Sequence, residues 1–247
     1  MKKTFLRMAT IIATFAVAIA SCTKENPDNG GAIKDPNDNT GGQNQETPTH
    51  PSLGGSEYIL IGVDEATAAS LGNKVKANYF VDDVNMFLYI WENTYQPGTS
   101  SGLNFYGEAA TWTSLVVGNL GWSGAGWLHK DGVPSFVSDA ADMANWKFHI
   151  AYKGAENVAH IVIVTWNKQA YKFAIGDGSL DDNGQTYNAI APKDGTFKAN
   201  VWNEYEISLA EMGLDFTKNA AEDNLMSVLS GGTAGTTLDL DAMFFYK

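Results

Sequence analysis

Cysteine is almost missing from this 247-residue chain: it has one. A single thiol excludes an internal disulfide and a cysteine-based zinc site. Basic residues are also scarce, with 16 Lys plus Arg against 28 Asp plus Glu and a formal charge of −12. Phosphate backbones are held by clustered Lys and Arg, so a nucleic-acid partner is excluded. No glycine-rich phosphate loop, dinucleotide fingerprint or Ser-His-Asp signature occurs. Nor does any segment repeat at a fixed period. Proline is confined, four of the seven lying between Thr23 and Ser56. What is present is core material: 44% of the residues are hydrophobic and 12% are aromatic. That composition suits a packed domain.

Lys2, Lys3 and Arg7 precede an uncharged run, Met8 to Ser21, which ends at Cys22. At 1.5 Å per residue the run spans only ~21 Å, against ~30 Å of hydrocarbon, too short for a comfortable transmembrane helix. A basic start, a short apolar stretch and small residues at its end describe a secretory signal over residues 1–21. One reading is an ordinary signal cleaved near Ala20. The sharper reading takes Ile19-Ala20-Ser21-Cys22 together, which resembles the lipobox of bacterial lipoproteins. That resemblance makes Cys22 a lipid anchor. Without residues 1–21 the chain carries 13 basic against 28 acidic groups. Acyl chains alone, not charge, would then hold it at a membrane. Thr23-Lys24-Glu25 and Asp28 loosely resemble the signals that send such lipoproteins to the outer cell surface. The expected location is the outer membrane, facing the exterior, with a periplasm-facing anchor as the alternative.

After Cys22, residues 22–56 are rich in Pro, Gly, Asn, Thr and Gln and contain no aromatic residue. So little apolar surface cannot offset the entropy of ordering, which predicts a flexible tether. A coil of that length spans roughly 30–35 Å root-mean-square. Residues 57–247 hold every tryptophan and read as one domain. Period-two patterns predict strands at Tyr58–Val63, Met86–Trp91, Thr113–Val117, Trp146–Tyr152, Val158–Trp166, Gln169–Ile175, Glu204–Ser208 and Leu238–Tyr246. Asn183-Gly184 is a favoured two-residue hairpin turn. Short helices are expected at Asp64–Leu71, Ser138–Ala144 and Ala220–Leu229, and Ser208 to Glu211 fits a capping box. Short strands with glycine-rich turns indicate an all-β antiparallel β-sandwich with a few short helices.

Two stretches carry a resemblance. Trp202-Asn203-Glu204-Tyr205-Glu206-Ile207-Ser208-Leu209, followed by Leu238-Asp239-Leu240-Asp241-Ala242-Met243-Phe244-Phe245, resembles the end of jelly-roll carbohydrate-binding modules of the galactose-binding-like type. The resemblance implies a jelly-roll topology and a structural calcium at strand ends using Asp239 or Asp241; no other cofactor is expected. Lipobox, polar stalk and one tryptophan-rich sandwich together resemble accessory glycan-binding lipoproteins of polysaccharide-degrading bacteria. This implies a poly- or oligosaccharide partner and, beside it, an outer-membrane sugar transporter.

The stretch from Trp112 to Trp127, which includes Trp122, is interleaved with glycines. An indole beside glycine has few neighbours to cover it, and a flat exposed ring matches the C–H face of a sugar. Trp112, Trp122 and Trp127 are therefore candidate glycan-binding residues, the alternative being that they plug one end of the sandwich. Glu92, Asn93 and Tyr95 follow an aromatic strand and could add hydrogen bonds, or simply cap a turn. Trp91 and Trp202 read as core residues, and Trp166 is open. Glu92, Glu108, Asp139, Asp142, Asp181 and Asp182 are the acids a glycosidase could pair across a cleft, yet none lies in a catalytic motif. His149 and His160 flank a turn at 153–157 and could face each other, a weak zinc signal without a third ligand. The expectation is non-catalytic glycan capture, with a structural or adhesion subunit as one alternative and a glycoside hydrolase as another.

Overall fold

A computed structural model describes residues 50–221 and 223–247; the export signal, Cys22 and the tether up to residue 49 lie outside the described residues. The chain opens with β1 (Tyr58–Gly62), α1 (Glu65–Leu71), β2 (Val75–Asn78), β3 (Met86–Ile90), β4 (Tyr95–Pro97) and β5 (Thr113–Val117). Next come β6 (Trp122–His129), α2 (Ala140–Met143), β7 (Lys147–Lys153), β8 (Ala159–Trp166) and β9 (Gln169–Gly176). A small hairpin, β10 (Ser179–Asp182) and β11 (Gln185–Asn188), precedes β12 (Asn203–Ser208), α3 (Leu209–Met212), β13 (Asp223–Gly231) and β14 (Thr237–Tyr246).

Two sheets form the sandwich. In the seven-stranded sheet β14 is central, with β7 and then β12 on one side, and with β1–β2 and β5–β4 sharing the other. The five-stranded sheet runs β3-β6-β13-β8-β9. From β5 onward the chain crosses between sheets at nearly every connection, as a jelly roll does. Pairing between these strands is antiparallel except β1 with β2, which run parallel, and an isolated parallel bridge joins Ala174 to Ala189.

Alternation explains the core. Phe148, Ile150 and Tyr152 of β7 point inward against Trp127 of β6, Val162, Val164 and Trp166 of β8, and Met226 and Val228 of β13. On β14 the inward set shifts from Leu238 and Leu240 to Met243 and Phe245. An irregularity between Asp241 and Phe244 makes the shift, with Ala242 at φ 48°. The other face of the seven-stranded sheet is covered too: Tyr58, Leu60, Phe244 and Tyr246 pack with Leu71 of α1, Leu53, Phe105 and Tyr106. Residues 50–56, assigned to the tether on composition, belong to this cover. The Tyr58 hydroxyl donates to the Ser52 carbonyl at 3.0 Å, and Ser56 N–H to that of Lys247 at 2.6 Å. Among the described residues, no second cluster of this kind covers the β3–β6 side of the five-stranded sheet.

Several elements lie where the sequence puts them. Asp64 caps α1 by accepting from Thr67 N–H, Asp139 caps α2, and Asn183-Gly184 joins β10 to β11 with φ of 50° and 81°. One expectation is corrected. Residues 220–229 do not form a helix; most of them build β13, because Met226 and Val228 alternate into the core beside β6 and β8. Within the glycine-tryptophan stretch, Trp122–His129 is an interior strand whose glycines occupy its outer face.

Candidate functional site

On β6 the residues with even numbers face outward, since Ala125 and Trp127 lie in the core. Trp122, Gly124 and Gly126 therefore share the outer face. Opposite Gly126 stands Tyr89 of β3, outward because Leu88 and Ile90 pack inward. Trp91 follows, and its indole lies across Gly124: a side-chain carbon there would come 2.4 Å from Trp91 Cε3 and 3.1 Å from Trp122 Cζ3. Glycine is what lets the two indoles converge over the strand. Tyr89 meets Trp91 edge to face at 6.4 Å. Trp122 is 40% exposed, while Tyr89 and Trp91 are half-buried.

The turn after β3 is stapled to β6. Thr94 Oγ1 donates to the Trp91 carbonyl at 2.8 Å and accepts from Gly124 N–H at 3.0 Å; Ser123 Oγ donates to the Thr94 carbonyl at 2.8 Å. Glu92 and Asn93, exposed at the turn, sit at φ 51° and 55°. The turn that carries Glu92 and Asn93 is thereby joined to the glycine-tryptophan segment through Thr94. Across the sheet the outer row continues from Tyr89 and Gly126 through Ser227 and Ile163 to Lys172. The β10–β11 hairpin borders its far side. There Lys172 Nζ meets Asp182 at 2.5 Å, and a Cβ on Gly231 would touch Leu180 at 3.3 Å. The result is a shelf: an aromatic end, a glycine- and serine-lined floor, and a hairpin rim with an ion pair.

Two site expectations need correction, Trp127 and Tyr95, and Trp112 lies apart from Trp122. Trp127 is 1% exposed, because its odd-numbered position on β6 sends it into the core. Tyr95 is equally buried. Its hydroxyl pairs with Ser230 Oγ, which meets His160 Nδ1 at 2.5 Å, and His160 Nε2 lies 3.1 Å from the Tyr152 hydroxyl. Burial pushes the Tyr95 hydroxyl up and holds His160 down at about 3. Trp112 stands just before β5 of the other sheet, edge to face with Trp202 at 5.4 Å. Lys153 Nζ caps both rings, at 4.1 and 4.7 Å from their centres. A cleft of 590 Å³ opens beside them, lined by Lys153, Asn200, Thr236, Thr237 and Asp239. Trp91, read from the sequence as a core residue, is half-buried on the outer face, beside Tyr89, which the sequence reading did not single out.

Asp239 accepts from Ser114 Oγ at 2.6 Å and pairs with Lys153 at 3.3 Å. Burial raises the Asp241 carboxyl above its ordinary range, while the N–H groups of Phe105 and Ala242 pull it back. Both acids are thus engaged by protein groups. His149 and His160 do not face each other, since β7 and β8 lie in different sheets, and both are fully buried. Among the described residues one His-carboxylate group converges: His149, Glu204 and Glu206. Four of the six acids considered for hydrolysis have other partners. Asp139 caps α2, Asp142 pairs with Lys247 at 2.9 Å, Asp181 accepts from Thr186, and Asp182 holds Lys172.

No family model matches the chain, and no curated protein does. Solved structures of similar shape include three carbohydrate-related proteins. A family 61 carbohydrate-binding module in complex with β-1,4-galactotriose aligns at 11% identity and TM-score 0.35, over 66% of this chain and 88% of the module. A family 11 module from Clostridium thermocellum, in complex with a β-1,3-1,4-mixed-linked tetrasaccharide, gives 10% and 0.37, over 66% and 89%. An exo-β-agarase gives 10% and 0.40, over 66% of this chain but 23% of its own length.

Proposed function

We propose that the chain captures poly- or oligosaccharide without catalysis, by stacking sugar rings on the shelf of Tyr89, Trp91 and Trp122. The observation that carries this reading is the convergence of Trp91 and Trp122 over Gly124 on an outer sheet face. Aromatic faces match the C–H faces of sugars, and the neighbouring Glu92, Asn93, Ser227, Lys172 and Asp182 offer hydroxyl partners. Burying roughly 100 Å² on each ring gives about 2–3 kcal/mol gross. Two or three such rings, less an association cost of at least ~4 kcal/mol, place affinity between millimolar and micromolar. That range suits reversible capture of a polymer with many copies of the same epitope. The non-catalytic character is supported by the cap, hydrogen bond and ion pairs that engage Asp139, Asp181, Asp142 and Asp182.

In this reading Cys22 anchors the chain at the outer membrane, the segment after it lifts the domain, and the captured glycan passes to a sugar transporter. Globomycin treatment of expressing cells should leave the precursor uncleaved, and external protease should remove the domain from intact cells. Affinity electrophoresis and calorimetry against a polysaccharide panel test the binding. At least one glycan should bind, and Trp91→Ala and Trp122→Ala should each weaken it with the fold intact. Binding to no member of the panel, or binding untouched by both substitutions, refutes the shelf.

A further inference from the structure

On the covered face of the seven-stranded sheet, Glu204 and Glu206 alternate along β12, and the register sets Glu206 opposite His149 of β7. His149 is fully buried and its ring stacks on Phe244, 4.6 Å between centres and 3° from parallel. Its Nδ1 lies 2.6 Å from the Ala242 carbonyl oxygen. A carbonyl only accepts, so Nδ1 carries the hydrogen and donates it. Its other nitrogen, Nε2, is thereby aimed at Glu204 Oε1, 3.0 Å away. An approach of that length between a ring nitrogen and a carboxylate needs something positive between them, a proton or a metal ion. Fixing one imidazole nitrogen on a backbone carbonyl is also how proteins orient the other for a metal.

We propose that His149 Nε2, Glu204 and Glu206 form a zinc-class divalent cation site. The three ligand atoms already lie within 4.8 Å of one another. Metal–ligand bonds of about 2.0 Å set neighbouring ligands roughly 3.3 Å apart, so the group closes by about 1.5 Å at most. One imidazole with two carboxylates suits Zn²⁺, whereas Ca²⁺ takes oxygen ligands. A cation is already drawn to this place. Lys193 Nζ bridges the two acids, 3.1 Å from Glu204 Oε1 and 2.7 Å from Glu206 Oε1. Its backbone N–H is tied to the Glu204 carbonyl at 2.8 Å, but its side chain is 38% exposed and can swing into solvent. Lys147 and the Tyr246 hydroxyl hold Glu206 from other sides, so the carboxylate stays oriented when Lys193 leaves. The ion would clamp the edge strand β12 to β7.

The test titrates the chelator-stripped chain with Zn²⁺ by calorimetry and with Co²⁺ by visible absorption. Expected are one saturable site and the intense bands of four-coordinate Co²⁺. Glu204→Gln and Glu206→Gln should weaken binding about tenfold or more. Lys193→Ala, which removes the competing ammonium, should tighten it by a similar factor. Circular dichroism of each variant reports folding separately. Absence of saturation at millimolar Zn²⁺ in both the parent and Lys193→Ala overturns the site, as does binding untouched by either Gln substitution. Neither readout involves a glycan, so the result stands apart from the shelf.

Discussion

Gly124→Ala is the sharpest probe of the shelf, because it adds one methyl and removes nothing. That methyl would stand 2.4 Å from Trp91 Cε3 and 3.1 Å from Trp122 Cζ3. Carbon atoms rest at about 3.5–4.0 Å, so the Trp91 ring must withdraw by more than ~1 Å or turn on edge. Gly124 is not among the positive-φ glycines, and the strand itself accepts alanine. Overpacking costs about 1–3 kcal/mol of stability. Displacing one sugar platform costs about 2–3 kcal/mol of binding, or roughly 30- to 150-fold in Kd. Calorimetry against the best glycan of a panel reads the second figure, and thermal unfolding reads the first. In Trp91→Ala the ring is gone and the methyl finds space. The double variant should therefore bind about as well as Trp91→Ala alone, a strongly non-additive cycle. A folded Gly124→Ala with parental affinity, or a cycle whose two losses simply add, refutes the placement of the binding surface.

Other consequences follow from burial. Trp127→Ala should cost about 3–5 kcal/mol of stability, whereas exposed Trp122→Ala should cost well under 1 kcal/mol; urea midpoints separate them. His160 is held neutral by burial, its pKa lowered from 6.5 to about 3. The unfolded chain takes up this proton as pH falls below 6.5 and the folded chain does not until near 3, so stability is lost across that window. The loss is roughly 2 kcal/mol by pH 5, and His160→Gln should flatten it; equal pH slopes in the two chains would contradict the assignment. Gly184 turns the β10–β11 hairpin at φ 81°, so Gly184→Ala should loosen the hairpin by about 1 kcal/mol, seen as faster amide exchange from Ser179 to Asn188.

The strand pattern was legible because most of it is ordinary alternation. Lys147–Lys153 and Gln169–Gly176 each carry an apolar row on a predictable face. β13 was not legible. Ala220 to Leu225 supplies helix-forming residues and two acids, and only pairing with β6 on one side and β8 on the other makes Met226, Val228 and Ser230 an inward row. The last seven residues of the supposed tether were hidden for a similar reason. Ser52 and Leu53 gain burial from Tyr58 and from Phe105 and Tyr106, the last two remote in sequence, and composition does not reveal such partners.

The shelf shows how a correct physical premise can be attached to the wrong residues. Glycine does expose an indole, but along a strand the missing side chain opens space laterally, toward the neighbouring strand, and not toward the next residue. Gly124 therefore makes room for Trp91 of the β3 turn, across the ladder, while Trp127, three residues further along β6, points to the opposite face and is buried. Period-two geometry already separates these two tryptophans, because 122 and 127 differ by an odd number and cannot share a face of an unbroken strand. Reading Trp122–His129 as a strand would have split the trio and brought Trp91 forward. The same parity joins Glu204 to Glu206 on one face of β12, next to a histidine whose ring is fixed by a carbonyl. In both places chemistry depends on which face a residue takes, and facing is decided by pairing rather than by proximity in the chain.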